Sequence, residues 1–228
     1  MHTADGMVDS VRMDKPPDER SRSALFVGLL IEDVIAARQR LNAGLTQAAR
    51  RDVVRASLAA IEGITWVARE HVRISLDHLD QLTAVADLAM QERSYTVSET
   101  GQLIERVAGL PLLITIRLVV AQAKIISPEI AVEFSRKGWS DLRRAIQIRN
   151  RITHPKPDND LAISDSDLSV VESGLSWLVA TFDYVMSSTN LALTQYNDHL
   201  RMTVQRLIAG DPDALAEYHS ALQRTQED

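Results

Sequence analysis

The sequence predicts an all-α fold, an antiparallel helical bundle with additional helices. Aromatic residues make up only 4%, which argues against a base-stacking platform for single-stranded nucleic acid. Glycine and proline are sparse, with 9 and 7 in 228 residues. Alanine, leucine, isoleucine, arginine and glutamate are plentiful, a mixture that favours helix over sheet. Apolar residues recur at spacings of three and four along most of the chain, and 45% of all residues are hydrophobic, which is enough to build a sizeable core.

The chain divides into a tail and one domain. Residues 1–20 are polar, lack periodicity and contain Pro16-Pro17, so we expect a flexible N-terminal tail. Residues 21–228 are expected to form a single helical domain with a C-terminal helical extension.

The first half of the domain reads as helices joined by short connections. A first helix is predicted from about Asp18 to Leu41, and a second from Gln47 to Ile74. The short connection between them makes the pair antiparallel neighbours. A shorter helix is predicted over 77–92, and 93–98 is the only strand-like piece.

Further helices are predicted at Glu99–Ala108 and Pro111–Ile126, and another begins at Ser127-Pro128-Glu129 and ends near Gly138. A helix from Ser140, as its N-cap, to His154 follows. Pro155 ends it, because the residue before a proline disfavours helical geometry.

Ser164 and Asp167 resemble a capping box at the start of a long helix. An apolar seam follows at spacings of three and four, and it indicates bundle core or, as an alternative, a homodimer interface. Its members are Leu168, Val171, Leu175, Leu178, Phe182 and Val185. The break Gly210-Asp211-Pro212 precedes a short terminal helix.

Composition excludes several classes of site and indicates a compartment. The chain has no cysteine, which excludes disulfides, thiolate zinc sites and cysteine nucleophiles. Acidic residues stand where a secretory signal would place an apolar run, and the apolar runs are too short to span a bilayer. We therefore expect a soluble, cytoplasmic protein.

One segment is strongly basic although the whole chain carries a net charge of −6. Between residues 136 and 156 a single acidic residue, Asp141, opposes seven basic residues, a net charge of +6. The seven are Arg136, Lys137, Arg143, Arg144, Arg149, Arg151 and Lys156. A local basic segment attracts phosphate while the acidic remainder resists non-specific binding. The alternative is an ordinary solvated helix face.

The end of the predicted helix at His154 carries the most informative pattern. It reads Arg149-Asn150-Arg151-Ile152-Thr153-His154-Pro155. On a helix, Arg149 shares the face of Leu142, Ala145, Ile146 and Thr153, and an arginine on an apolar face is costly unless it is paired or used. Asn150 and His154 are four residues apart and therefore neighbours.

These three residue types together suit phosphodiester cleavage in RNA. Arginine holds a phosphate with two parallel hydrogen bonds and stays charged. Histidine takes or gives a proton near neutral pH. The amide of asparagine can orient the imidazole or the phosphate. No metal or other cofactor is needed if the RNA 2′-hydroxyl is the nucleophile.

The pattern Arg-Asn-x3-His-Pro at the end of a helix in a helical bundle resembles the motif of the HEPN superfamily. The resemblance implies a homodimer with two motifs in one cleft, and a metal-independent endoribonuclease of a toxin–antitoxin or phage-defence system, with an antitoxin or defence protein as a further partner. It implies that Arg149 binds phosphate, His154 acts as acid or base and Asn150 supports them. Lys156 stands where one toxin branch of the family carries a tyrosine, so regulation through that tyrosine is not implied.

The basic residues around the motif are candidates for further RNA contacts, namely Arg144, Arg151 and Lys156. A second Arg-x4-His pair, Arg73 and His78, lacks both the amide and the proline. We interpret it as an ordinary helix end. A metal site built from His71, Asp77, His78 and Asp80 lacks a recognised spacing, so no metal is expected.

Two alternatives to the ribonuclease stay open. One is a non-catalytic HEPN-like dimer that acts as an RNA- or protein-interaction module. The other is an unrelated helical protein with an accidental motif. A ribonuclease should place Arg149 and His154 in an accessible groove across a two-fold axis. An interaction module would have that groove plugged, or would hold Arg149 and His154 apart. In the accidental case Arg149 would pair with its own chain and His154 would be isolated.

Overall fold

The computed structural model describes residues 19–227, and helices dominate them. The elements are α1 Glu19–Ala43, α2 Gln47–His78, α3 Ala84–Met90, β1 Arg93–Val97, β2 Leu103–Val107, α4 Leu112–Ile126, α5 Lys137–Thr153, α6 Asp165–Ile208 and α7 Pro212–Glu227. The predicted all-α class is confirmed. Of the predicted tail, only Glu19 and Arg20 belong to the described residues, where they begin α1.

Helix α2 lies at the centre of the bundle and packs against α1, α4, α5 and α6. Its apolar positions at spacings of three and four are buried, among them Val54, Leu58, Ile61 and Val72. The seam on α6 faces this core: Leu175 is half-buried against it, and the other five members are buried, namely Leu168, Val171, Leu178, Phe182 and Val185. The seam is therefore bundle core within one chain, and α6 continues for about six turns beyond Val185.

The predicted helix Glu99–Ala108 is wrong. Residues 93–97 and 103–107 form an antiparallel hairpin, so the strand-like piece at 93–98 has a partner that the sequence did not reveal. Gly101 adopts a φ of 79° in the connecting turn, a conformation that glycine reaches without steric cost. All five residues of β2 are exposed. The strand therefore lacks the alternation of apolar and polar residues by which a half-buried strand is recognised in a sequence.

The short helix predicted over 77–92 is present as α3, but over fewer residues, because 77 and 78 belong to α2 and 79–83 are not helical. Helix α2 continues to His78, and α3 starts only at Ala84, where the Thr83 hydroxyl accepts a hydrogen bond from the Ala86 backbone N–H. Asp80 turns the chain with a φ of 55°.

Residues 128–136 are not helical, and α5 begins at Lys137, three residues before the predicted N-cap. Ser140 donates its hydroxyl to the Lys137 carbonyl instead of capping a helix start. Tertiary packing accounts for the difference: Trp139 is buried against Phe134 and Trp177, with ring centroids 4.8 and 5.4 Å away. The aromatic cluster, a long-range contact, sets where α5 begins.

The segment after α5 leads directly into α6. A single 3-10 turn, Asp158–Leu161, follows the motif, and the predicted capping box of Ser164 and Asp167 is present. Ile163 is tied to α2, since Gln47 both donates to its carbonyl and accepts from its N–H. None of the helices described combines the length and apolar character that crossing a bilayer requires.

Candidate functional site

The motif residues lie where α5 ends, on the side of the bundle that α2 and α5 share. Helix α5 ends at Thr153, and His154 leaves the helix with φ −125° and ψ 59°. The last backbone bond is made by the His154 N–H to the Asn150 carbonyl, at 3.0 Å. The predicted end of this helix at the residue before Pro155 is confirmed.

Arg149 links the motif to α2. Its Nη2 donates to Glu62 Oε1 at 2.7 Å, and its Nη1 donates to Asn150 Oδ1 at 3.2 Å. The buried face of α5 consists of Leu142, Ala145, Ile148 and Ile152. Arg149 lies at the edge of that face rather than within it, and its side chain keeps 36% of its exposure. Thr153, predicted on the same face, is exposed.

His154 is exposed, and its side chain makes no hydrogen bond or ion pair with any described residue. Asn150 is also exposed. The structure therefore brings Arg149, Asn150 and Glu62 together and leaves the His154 imidazole free at the end of the helix.

Of the three further residues predicted to contact RNA, Arg151 is bound within the fold, whereas Arg144 and Lys156 are exposed to solvent. Arg151 lies about 200° around the helix from Arg149. Its Nη2 donates to the carbonyl of Ala162, just before α6, at 3.0 Å and to Asp167 Oδ2, in the first turn of α6, at 3.2 Å. Its guanidinium thus holds the start of α6. Arg144 is exposed without a hydrogen bond among the described residues. Lys156 is exposed too, and its backbone N–H donates to Asp160 at 2.9 Å.

Two carboxylates fasten α5 to its neighbours. Burial raises the pKa of Asp167, but hydrogen bonds from Ser164 and Arg151 outweigh burial and leave that pKa below its ordinary value. Burial likewise raises the pKa of Asp141, and hydrogen bonds from Lys137 and Ser173 at 2.5 and 2.6 Å lower it overall. Asp141 therefore binds α6 and does not face the motif.

Glu62 is the residue that the sequence did not indicate. It lies 87 positions before Arg149, and nothing local to it marks a site. The sequence around Arg149 did indicate that this arginine needs a partner, because it lies on a partly apolar helix face. The packing of α2 against α5 supplies Glu62 as that partner.

The second Arg-x4-His pair is confirmed as a helix end. His78 is the last residue of α2, and Arg73 is held by Glu70 and Asp87 at 3.0 and 3.4 Å. Within the described residues, no group of three or more histidine and carboxylate side chains is placed to hold a metal ion.

Compared with protein-family models, with curated proteins and with solved structures, the chain matches none. The HEPN resemblance therefore stays a prediction that rests on the motif and on the helical architecture. Arg149 is paired within its own chain and the His154 side chain has no partner among the described residues, and these are the two features expected of an accidental motif. The accessibility of all three motif side chains is expected of a working site. The groove shared by two chains stays a prediction.

Proposed function

We propose that the chain is a metal-independent endoribonuclease of HEPN type, active as a cytoplasmic homodimer in a toxin or phage-defence system. The observation that carries the proposal is the accessible cluster at the end of α5. There Arg149 and Asn150 are joined by a hydrogen bond of 3.2 Å, and the free imidazole of His154 lies one helical turn after Asn150. An antitoxin or another defence protein is the expected partner.

The proposed reaction cuts the phosphodiester by internal attack. The 2′-oxygen of the ribose forms a bond to phosphorus while the bond to the 5′-oxygen breaks. One imidazole takes the 2′-hydroxyl proton, and the leaving 5′-oxygen receives a proton from an acid, the second imidazole of the dimer or water. Arg149 stabilises the charge on the phosphoryl oxygens. The products carry a 2′,3′-cyclic phosphate and a 5′-hydroxyl.

The ion pair with Glu62 is compatible with phosphate binding. Glu62 keeps 47% of its side-chain exposure, and exposed pairs of this kind contribute less than ~1 kcal/mol. A phosphate therefore competes with the carboxylate at small cost. The guanidinium carries five N–H donors, so it can hold a phosphate oxygen and one of its present acceptors together.

A second candidate is the non-catalytic interaction module, and the same ion pair favours it. An arginine already neutralised by Glu62 gives less stabilisation to a transition state than a free one does. In this candidate the site binds RNA or a protein surface without cutting.

Incubation with end-labelled RNA in EDTA tests the proposal. Wild-type protein that leaves 2′,3′-cyclic phosphate ends supports the ribonuclease. A folded protein that binds a broad panel of RNAs but leaves all of them intact supports the interaction module.

A further inference from the structure

One face of α5 and its N-cap residue is entirely solvent-exposed and entirely free of carboxylates and apolar side chains. The residues recur at alternating spacings of four and three, which keeps them on one straight line along a helix. We call this line the α5 stripe, and its members are Arg136, Ser140, Arg143, Gln147, Asn150 and His154. All six are exposed.

We propose that the α5 stripe is a binding track for single-stranded RNA that leads the strand into the motif. This inference deepens the proposed function and rests on it for the identity of the ligand. The stripe extends the candidate site from the end of α5 to its beginning, a distance of about 27 Å for 18 residues at the helical rise. That length spans several nucleotides, whereas the motif alone contacts one phosphate.

The chemistry of the stripe matches a nucleic-acid strand. Cationic and polar side chains contact the phosphate and sugar of a nucleic acid, and amide side chains also form hydrogen bonds with the edges of the bases. Ser140 is a hydroxyl, Gln147 and Asn150 are amides, and Arg136 and Arg143 are guanidinium groups. The acid nearest in sequence, Asp141, is buried and is held by Lys137 and Ser173, so it does not repel a strand lying on this face. Two exposed carboxylates lie beside the ends of the stripe, and each is paired with an arginine: Glu133 with Arg136 and Glu62 with Arg149.

Arg143 is the residue on which the inference depends most. It is exposed near the middle of the stripe, and its side chain has neither a hydrogen bond nor an ion pair among the residues described. Arg136, by contrast, is paired with Glu133 at 2.6 Å, and Arg151 lies off the stripe against α6. An unpaired arginine on a solvent face is available to a phosphate without breaking any contact of the fold.

Direct binding measurements test the track. A fluorescein-labelled single-stranded RNA long enough to cover the stripe is titrated with His154→Ala protein, which holds RNA uncut, and anisotropy is followed over a series of salt concentrations. Arg143→Ala on this background is expected to weaken binding several-fold and to reduce the salt slope by about 0.7, the value for one phosphate contact to a single strand. Gln147→Glu, which places a carboxylate on the stripe, is expected to weaken binding as well.

Arg106→Ala is the matched control. Arg106 lies on β2 and is exposed, and its side chain has no hydrogen bond or ion pair among the described residues. Its replacement by alanine therefore changes the net charge by the same amount. Equal effects of the two arginine substitutions, or no effect of either, would overturn the track. A titration with poly-glutamate distinguishes RNA from an acidic protein surface. If Arg143→Ala weakens poly-glutamate binding as strongly as it weakens RNA binding, the RNA track is overturned in favour of an acidic protein partner.

The proposed RNA track and the proposed ribonuclease activity can be disproved independently of each other. RNA that binds through Arg143 but is never cut by wild-type protein supports the track and contradicts the cleavage proposal. RNA that wild-type protein cuts, with no dependence on Arg143 or Gln147, contradicts the track and leaves the cleavage proposal standing.

Discussion

Arg149 and Glu62 form an ion pair of 2.7 Å that joins α5 to α2. The pair lies at the surface, and the same guanidinium also holds the Asn150 side chain. A motif arginine therefore has two acceptors in its own chain before any phosphate arrives. The carboxylate holds the Arg149 guanidinium, and its negative charge would oppose the phosphate that the proposed function brings to this arginine.

Glu62→Gln is expected to strengthen RNA binding by about threefold to fivefold. At about 4 Å in water, one unit charge acting on another amounts to about 1 kcal/mol, and glutamine removes that repulsion while it retains a hydrogen-bond acceptor. Anisotropy titration on the His154→Ala background measures the change. Glu32→Gln, at an exposed site on α1, is the control and should have little effect. Weaker binding by Glu62→Gln would show that Glu62 mainly positions Arg149.

Arg151→Ala is expected to destabilise the fold by about 1–3 kcal/mol, because it removes charge-assisted bonds to Ala162 and Asp167 and leaves Asp167 without its cation. Arg144→Ala removes the same charge from an exposed site and should stay within ~0.5 kcal/mol of wild type. Urea unfolding measures both. Equal stability of the two variants would contradict the structural role given to Arg151.

Gly174→Ala is expected to destabilise the protein by about 1–3 kcal/mol. A Cβ there would lie 2.8 Å from the Leu142 Cα, and backbone on the facing helix cannot move aside cheaply. Gly28→Ala is the matched control, since a Cβ at Gly28 meets nothing within 4 Å, and it should stabilise α1 by up to about 1 kcal/mol. An unchanged unfolding midpoint for Gly174→Ala would contradict the close approach of α5 and α6.

Acid should destabilise the protein through Asp141 and Asp167. Because the pKa of each is lowered in the folded state, their stabilising effect is complete above the unfolded pKa of about 4 and is lost as the pH falls through the folded pKa. Asp167→Asn should therefore lower the unfolding free energy at neutral pH and show a smaller further loss below pH ~4. An acid dependence identical to that of wild type would show that Asp167 does not contribute.

The sequence was sufficient for features that depend on local chemistry. Proline after His154 ended α5, and Ser164 with Asp167 began α6, because caps and helix stops act within a few residues. The sequence was insufficient for features that depend on contacts between residues far apart in the chain. The aromatic packing of Trp139 moved the start of α5, the exposed strand β2 carried no buried face, and Glu62 became the partner of Arg149 only through the packing of two helices.

Cleavage of end-labelled RNA in EDTA by wild type, Arg149→Ala and His154→Ala shows whether the motif at the end of α5 cuts RNA. Arg73→Ala and His78→Ala, in the second Arg-x4-His pair, are matched controls. We expect 2′,3′-cyclic phosphate ends from wild type and both controls, and a loss of cleavage activity of at least about a hundredfold in folded Arg149→Ala and His154→Ala. Equal cleavage by all five proteins, or none by folded wild type that binds RNA, would contradict the proposed ribonuclease activity.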